Sequence, residues 1–97
     1  MRTPIHPGVV LGEQLDALEM TRSALAEAIG VVPNRISQIV SGKREISADT
    51  ALRLGRFFDM SPDFWMNLQA TYELDLARQE HGREISKIKP LVHHAVA

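Results

Sequence analysis

Hydrophobic residues recur every three or four positions along most of this chain, which is the period of one buried face of an α-helix. No segment alternates polar and hydrophobic residues regularly enough to predict a strand. Prolines, glycines and capping residues divide the pattern into five helices, so the sequence predicts an all-α fold. The predicted helices begin after Pro7 and at Thr21, Pro33, Ser47 and Ser61, and the ends that the sequence marks lie near Met20, Ile29, Gly42 and Glu80.

These helices predict one compact domain over residues 1–80, followed by a C-terminal extension over residues 81–97. A chain of 97 residues, of which 44% are hydrophobic, is long enough for one small core and too short for two. The extension carries hydrophobic residues around Pro90, which interrupts a helical pattern. It serves dimerisation or is disordered, and the sequence leaves both alternatives open.

The third predicted helix has two chemically different faces. With about 100° between successive residues, Ile36 and Ile39 share one side of the helix. Asn34, Gln38 and Ser41 lie on the opposite side. In an isolated helix such a polar face is most often simply solvated, so its meaning depends on the segment that precedes it.

That preceding segment has the spacing of a helix-turn-helix. Ala26 is a small residue at the point where the two short helices would cross, and Gly30 tolerates the positive φ that the turn requires. Ile36 is a branched residue that would pack beneath the second helix. The remaining hydrophobic positions of the motif are filled by Leu25, Ile29, Val31 and Ile39. The polar face of the third helix is therefore predicted to enter the major groove of double-stranded DNA.

The side chains on this face are suited to reading bases. Amides pair with the edge of adenine and a guanidinium pairs with guanine, so Asn34, Arg35 and Gln38 are the predicted base-reading residues. The predicted phosphate contacts come from basic and hydroxyl side chains around the helix, namely Arg22, Ser37, Ser41, Lys43 and Arg44.

The charge of the chain is unevenly distributed, although its net value is only −1. Residues 21–56 hold six basic and three acidic side chains, whereas residues 57–80 hold one basic and five acidic side chains. The first segment suits a polyanion. The acidic segment is either solvated or contacts a basic protein partner.

Other classes of function find little support in the sequence. The chain has no cysteine, no nucleophile or phosphate-binding motif and no H-E-x-x-H pattern, so we predict a protein that is not an enzyme and needs no cofactor. Two adjacent histidines, His93 and His94, do not make a metal site by themselves. No hydrophobic run is long enough for a membrane span or a secretion signal, which predicts no membrane partner and a cytoplasmic location.

The stretch "FWMNLQATY" (residues 64–72) begins the fifth helix and carries the aromatic residues of its first turns. Phe64 and Leu68 are predicted to pack in the core beneath the first and fourth helices. Trp65, Tyr72 and Leu76 are predicted to be shared between the core and a dimer interface.

Three segments resemble the Xre (lambda-repressor-like) helix-turn-helix family, and more narrowly its HigA/VapI-type antitoxins: "HPGVVLGEQL" (6–15), "SGKREISADTALRLGRFF" (41–58) and "SPDFWMNLQATYEL" (61–74). The resemblance covers residues 4–80. It implies a five-helix DNA-binding domain that forms a homodimer and binds a palindromic operator in its own promoter. It also implies a cognate partner, a RelE-like mRNA-cleaving toxin encoded beside it. Val32, a poor capping residue, departs from the hydroxyl residue that relatives often carry there.

Two other functions remain open from the sequence. One is a stand-alone repressor that has no toxin partner. The other is a protein-interaction module whose helix-turn-helix no longer binds DNA. A gel shift with the DNA upstream of the gene separates the last from the first two.

Overall fold

A computed structural model of the chain describes residues 2–92, and over this range the chain folds into five α-helices without a strand. The helices are α1 (Pro7–Ala17), α2 (Arg22–Ile29), α3 (Pro33–Val40), α4 (Ala48–Phe58) and α5 (Pro62–Ser86). The prediction of an all-α, five-helix fold is confirmed.

The helices begin where capping side chains occur in the sequence. The hydroxyls of Thr21, Ser47 and Ser61 each accept a hydrogen bond from a backbone amide in the first turn of α2, α4 and α5. The ring of His6 caps α1 in the same way, through the amide of Gly8. Val32 precedes α3 without a side-chain cap, as expected from its type.

The first helix ends at Ala17, before the predicted end near Met20. Glu19 adopts a left-handed conformation with φ of 51°, and the amide of Met20 donates to the carbonyl of Leu15 at 2.9 Å. This is the hydrogen bond of a Schellman motif, which closes a helix without a glycine. The hydrophobic pattern alone does not show this ending, because Leu18 and Met20 continue the period.

The last helix is longer than predicted and runs past Glu80 to Ser86. Residues 81–86 contain no proline, and Gly82 weakens a helix without breaking it. The predicted boundary between domain and extension, at residues 80 and 81, therefore falls inside α5, and the division itself remains a prediction. Residues 93–97, with His93 and His94, lie outside the described part of the chain.

The helix-turn-helix is formed by α2 and α3, with a turn of three residues between them. Gly30 has φ of 74°, and the amide of Val31 donates to the carbonyl of Ala26 at 3.0 Å. Ala26 and Ile36 are fully buried, at the crossing of the helices and beneath α3. The roles that the sequence predicts for these residues are confirmed.

The position of α3 is also fixed from the other side, by α1. The first turn of α1 approaches the backbone of α3 so closely that a β-carbon on Gly8 would collide with the carbonyl oxygen of Ile39. Gly8 is itself buried. Helix α3 is thus held between α2 and the first turn of α1 at Gly8.

The core of residues 2–92 is formed by all five helices and the loop before α4, and its buried hydrophobic residues are Leu11, Leu15, Leu25, Ala26, Ile29, Ile36, Ile39, Ile46, Ala51, Leu54 and Trp65. Trp65 is fully buried, whereas Phe64 is 41% exposed. The predicted placements of these two neighbours are therefore wrong: Trp65 is the core residue, and Phe64 is partly exposed at the surface. Leu68, Tyr72 and Leu76 are half-buried.

Two further properties concern only residues 2–92. None of the helices there combines the length and the hydropathy that crossing a bilayer requires. The histidines, aspartates and glutamates of the same range do not gather in groups of three or more that could hold a metal ion.

Candidate nucleic-acid interface

The third helix separates its two faces as the sequence predicts. Ile36 and Ile39 are fully buried, Asn34 is exposed and Gln38 is half-buried. The side-chain amides of Asn34 and Gln38 make no hydrogen bond with residues 2–92. One helical turn separates them, so they form a short row of free donors and acceptors on the outer side of α3.

The two predicted hydroxyl contacts differ in how available they are. Ser41 is exposed, and its hydroxyl donates to the carbonyl oxygen of Gln38 at 3.2 Å. A phosphate oxygen needs a donor, so this hydroxyl must leave Gln38 before it can contact DNA. Ser37 is half-buried on the same helix.

Exposed basic side chains flank α3 in the sequence on both sides. Arg22 begins α2, while Lys43 and Arg44 follow α3 in the loop before α4. The amide of Lys43 donates to the carbonyl of Gln38 at 2.8 Å, which ties the loop to the end of α3. Arg44 shares one surface depression with Arg35.

The loop that carries Lys43 and Arg44 is anchored from below by a polar residue. The buried amide of Ile46 donates to the side-chain oxygen of Gln69 on α5 at 2.8 Å. The Gln69 nitrogen donates in turn to Glu73 at 2.9 Å. A buried backbone amide is costly to leave without a hydrogen-bond partner, so this contact with Gln69 holds the basic loop in position against α5.

His6 supports the same loop from the side of α1. Its Nδ1 accepts from the amide of Gly8 at 2.9 Å, and its ring lies edge-on to Tyr72 with centroids 5.0 Å apart. Burial holds the pKa of His6 below its usual range, opposed in part by a hydrogen bond with the backbone of Arg44. The neutral ring is the form that caps α1, since only an unprotonated Nδ1 can accept.

Arg35, a predicted base-reading residue, is engaged in an ion pair that the sequence does not predict. Its terminal nitrogen lies 2.9 Å from Oδ2 of Asp49 on α4. The same oxygen accepts from Nε of Arg53 at 3.0 Å, and Arg53 also donates to the carbonyl of Ile29 at 2.8 Å. Hydrogen bonds from Arg53 and Arg35 hold the pKa of Asp49 below its usual range.

Part of this network has a signal in the sequence. Asp49 and Arg53 are four residues apart, a spacing that pairs side chains on one face of a helix. The contact of Asp49 with Arg35 has no such signal, because it joins two helices through the packing of α4. In the sequence alone, Asp49 is recognisable only as an acidic residue in the first turn of a helix, where it interacts favourably with the helix dipole.

One acidic residue of α5 is buried in ion pairs and is not part of an exposed acidic surface. Asp75 is buried, and its Oδ1 accepts from Arg2 at 3.3 Å and from Arg78 at 3.2 Å. Glu73 and Glu80 are exposed. Any acidic surface that α5 offers to a partner therefore excludes Asp75.

Comparison with known proteins gives consistent results over almost the whole chain. Residues 11–65 match the family model described as "Helix-turn-helix". Virulence-associated protein I of Dichelobacter nodosus is 44% identical over 88 residues, which cover 90% of this chain and 81% of the relative.

Two solved structures share both fold and sequence with this chain. One is an addiction module antidote protein of the HigA family from Coxiella burnetii, with 43% identity and a TM-score of 0.89, covering 94% of this chain and all of that one. The other is the Pseudomonas aeruginosa antitoxin HigA with its higBA promoter, with 44% identity and a TM-score of 0.88, covering 93% of this chain and all of that one.

Proposed function

We propose that this chain, which belongs to the helix-turn-helix family, is a sequence-specific DNA-binding antitoxin that represses its own operon. This chain resembles two solved structures of HigA-family proteins, and one of these structures contains promoter DNA. Helix α3 is the element that enters the major groove, with Asn34, Arg35 and Gln38 reading bases.

The observation that carries this proposal is the row of free amides on α3. Asn34 and Gln38 lie opposite the buried Ile36 and Ile39, and although Gln38 is half-buried, neither side-chain amide makes a hydrogen bond with residues 2–92. The proposed phosphate contacts lie on α3 or flank it in the sequence and comprise Arg22, Ser37, Ser41, Lys43 and Arg44. Such an arrangement combines base reading with positioning on the backbone.

A homodimer on a palindromic operator completes this part of the proposal. One eight-residue recognition helix covers a single half-site. Two copies related by twofold symmetry place two such helices about 34 Å apart, in successive major grooves on one side of the duplex.

The DNA-binding proposal predicts two separable classes of substitution. Replacing Gln38 by alanine should weaken binding to the DNA upstream of the gene by about 1–3 kcal/mol, because a base contact is lost. Binding to random DNA of the same length should change little. Replacing Lys43 by alanine should weaken both duplexes alike and lower the salt dependence by about one counterion, because a phosphate contact is lost.

Titration of both duplexes at several salt concentrations measures these effects. Asn34→Ala tests the second amide in the same assay and should behave like Gln38→Ala. If Gln38→Ala lowered the affinity for upstream and for random DNA equally, α3 would not be the base-reading element. An interaction module without DNA binding would give no preference for upstream DNA even with the natural sequence.

The second part of the proposal is neutralisation of a RelE-like mRNA-cleaving toxin encoded by a neighbouring gene. An RNA-binding nuclease presents a basic surface, and the exposed acidic residues of α5 have the complementary charge. Co-expression with the neighbouring gene product should give a stable complex and relieve growth arrest. A stand-alone repressor would give neither result.

Reversing Glu73 and Glu80 to lysine should slow association with this toxin by about threefold to tenfold, because charges at the rim of an interface act mainly on encounter. The effect should shrink at high salt. The matched control reverses the exposed Glu13 and Glu27 on α1 and α2, with the same change in charge. Equal slowing in both variants would remove α5 from the toxin surface.

A further inference from the structure

The ion pair between Arg35 and Asp49 joins the recognition helix to a helix that carries none of the proposed DNA contacts. Arg35 lies in the first turn of α3, and one of its terminal nitrogens meets Oδ2 of Asp49 at 2.9 Å. The other terminal nitrogen makes no hydrogen bond with residues 2–92. The guanidinium is thus held in place while part of its donor edge stays available.

The position of Asp49 is fixed independently of Arg35. Arg53 donates its Nε to the same carboxylate oxygen at 3.0 Å, and its terminal nitrogen donates to the carbonyl of Ile29 at 2.8 Å. Arg53 therefore connects the end of α2, the start of α4 and Asp49. Asp49 thus holds Arg35 without depending on it for its own position.

The free edge of the guanidinium allows Arg35 to pair with a base without leaving Asp49. An exposed ion pair is a weak interaction, and exchanging it for a single phosphate contact brings little net gain. A bidentate pair with guanine is stronger, since it satisfies two donors of the guanidinium in one plane. Arg35 therefore gains from a base in the correct position, through Nε and its free terminal nitrogen, while Asp49 still holds the other terminal nitrogen.

We propose that Asp49 is a specificity-determining positioning residue, which keeps hold of Arg35 on any DNA and presents the free edge of its guanidinium to the correct base. The inference rests on the proposed function, because it requires α3 to read DNA. Asp49 itself contacts no base. It acts by withholding a cation that would otherwise bind the phosphates of any duplex.

Asp49→Asn tests the inference, since it removes the charge while keeping the size of the side chain. We expect the affinity for random DNA to rise and its salt dependence to steepen by about one counterion, as the freed Arg35 binds a phosphate. The ratio of affinities for upstream and random DNA should fall about fivefold or more. Asp49→Glu retains a carboxylate and should preserve the ratio.

Glu45→Gln is the matched control. Glu45 lines the same depression as Arg35 and Asp49 and is exposed, but it makes no hydrogen bond with residues 2–92. Its neutralisation changes the charge near DNA by the same amount, so it should raise both affinities equally and leave their ratio unchanged. Circular dichroism verifies that each variant is folded.

A double-mutant cycle shows whether Asp49 acts on specificity through Arg35 or only by stabilising the fold. In the Arg35→Ala background, Asp49→Asn should no longer change the ratio, because the cation that it releases is absent. An unchanged ratio for Asp49→Asn in the natural background, with upstream DNA still preferred, would overturn the inference alone. A natural protein without preference for upstream DNA would overturn the proposed function and this inference with it.

Discussion

Replacing Gly8 by alanine is expected to lower the free energy of unfolding by about 3 kcal/mol or more. The added β-carbon collides with the carbonyl oxygen of Ile39, which is backbone and has no alternative rotamer. Either α1 withdraws from α3, which opens the core, or α3 tilts. Denaturant titration followed by circular dichroism measures the loss, and binding to upstream DNA should weaken in parallel.

Gly82→Ala is the control for this substitution. Gly82 lies within α5 with no atom near the position of a β-carbon, so alanine should stabilise the helix by about 0.5–1 kcal/mol. Both changes add the same methyl group to a helical glycine. Similar small effects at the two sites would mean that α1 and α3 are not in the close contact described.

Replacing Trp65 by alanine should cost about 3–5 kcal/mol, because the largest side chain of the core is removed and a cavity remains. For a domain of this size we expect the melting temperature to fall by at least about 12 °C. The ring also packs near Phe58 and Phe64, with centroids 6.3 and 5.1 Å away. The loss should be the same at all protein concentrations.

Phe64→Ala, one residue earlier, should cost much less, since that side chain is 41% exposed. The pair of substitutions also distinguishes a core residue from an interface residue. If Trp65→Ala left the melting temperature nearly unchanged and altered only the oligomeric state in sedimentation, Trp65 would belong to a dimer interface.

The order and starts of the helices were predictable because their signals are local. A hydroxyl cap such as Thr21 acts on amides within its own turn, and Gly30 is needed at one residue of positive φ. The helix-turn-helix is predictable for the same reason, since its small, flexible and branched residues lie within eleven positions of the sequence. The outward amides of α3 follow from the burial of the opposite face.

The face of α5 was not predictable from hydrophobicity because a polar residue lies on its buried side. Gln69 is buried one turn after Trp65, where its side-chain oxygen accepts a hydrogen bond from the amide of Ile46. The hydrophobic stripe of Phe64, Leu68 and Tyr72 is therefore displaced by one residue from the stripe that packs. The ion pair of Arg35 with Asp49 escaped prediction because it depends on how α4 packs beside α3.

Helices α2 and α3 are only eight residues long, and this length ties recognition to folding. A peptide of eight residues is not helical in water, because the first turn costs more than the few later hydrogen bonds return. Under the proposed function, the unfolded chain therefore has no affinity for the operator. Operator DNA at 100 times its dissociation constant would add about 2.7 kcal/mol to the free energy of unfolding by mass action. A chain bound to its promoter would thus be protected from proteases that cleave unfolded protein, and promoter occupancy would itself set the lifetime of the antitoxin.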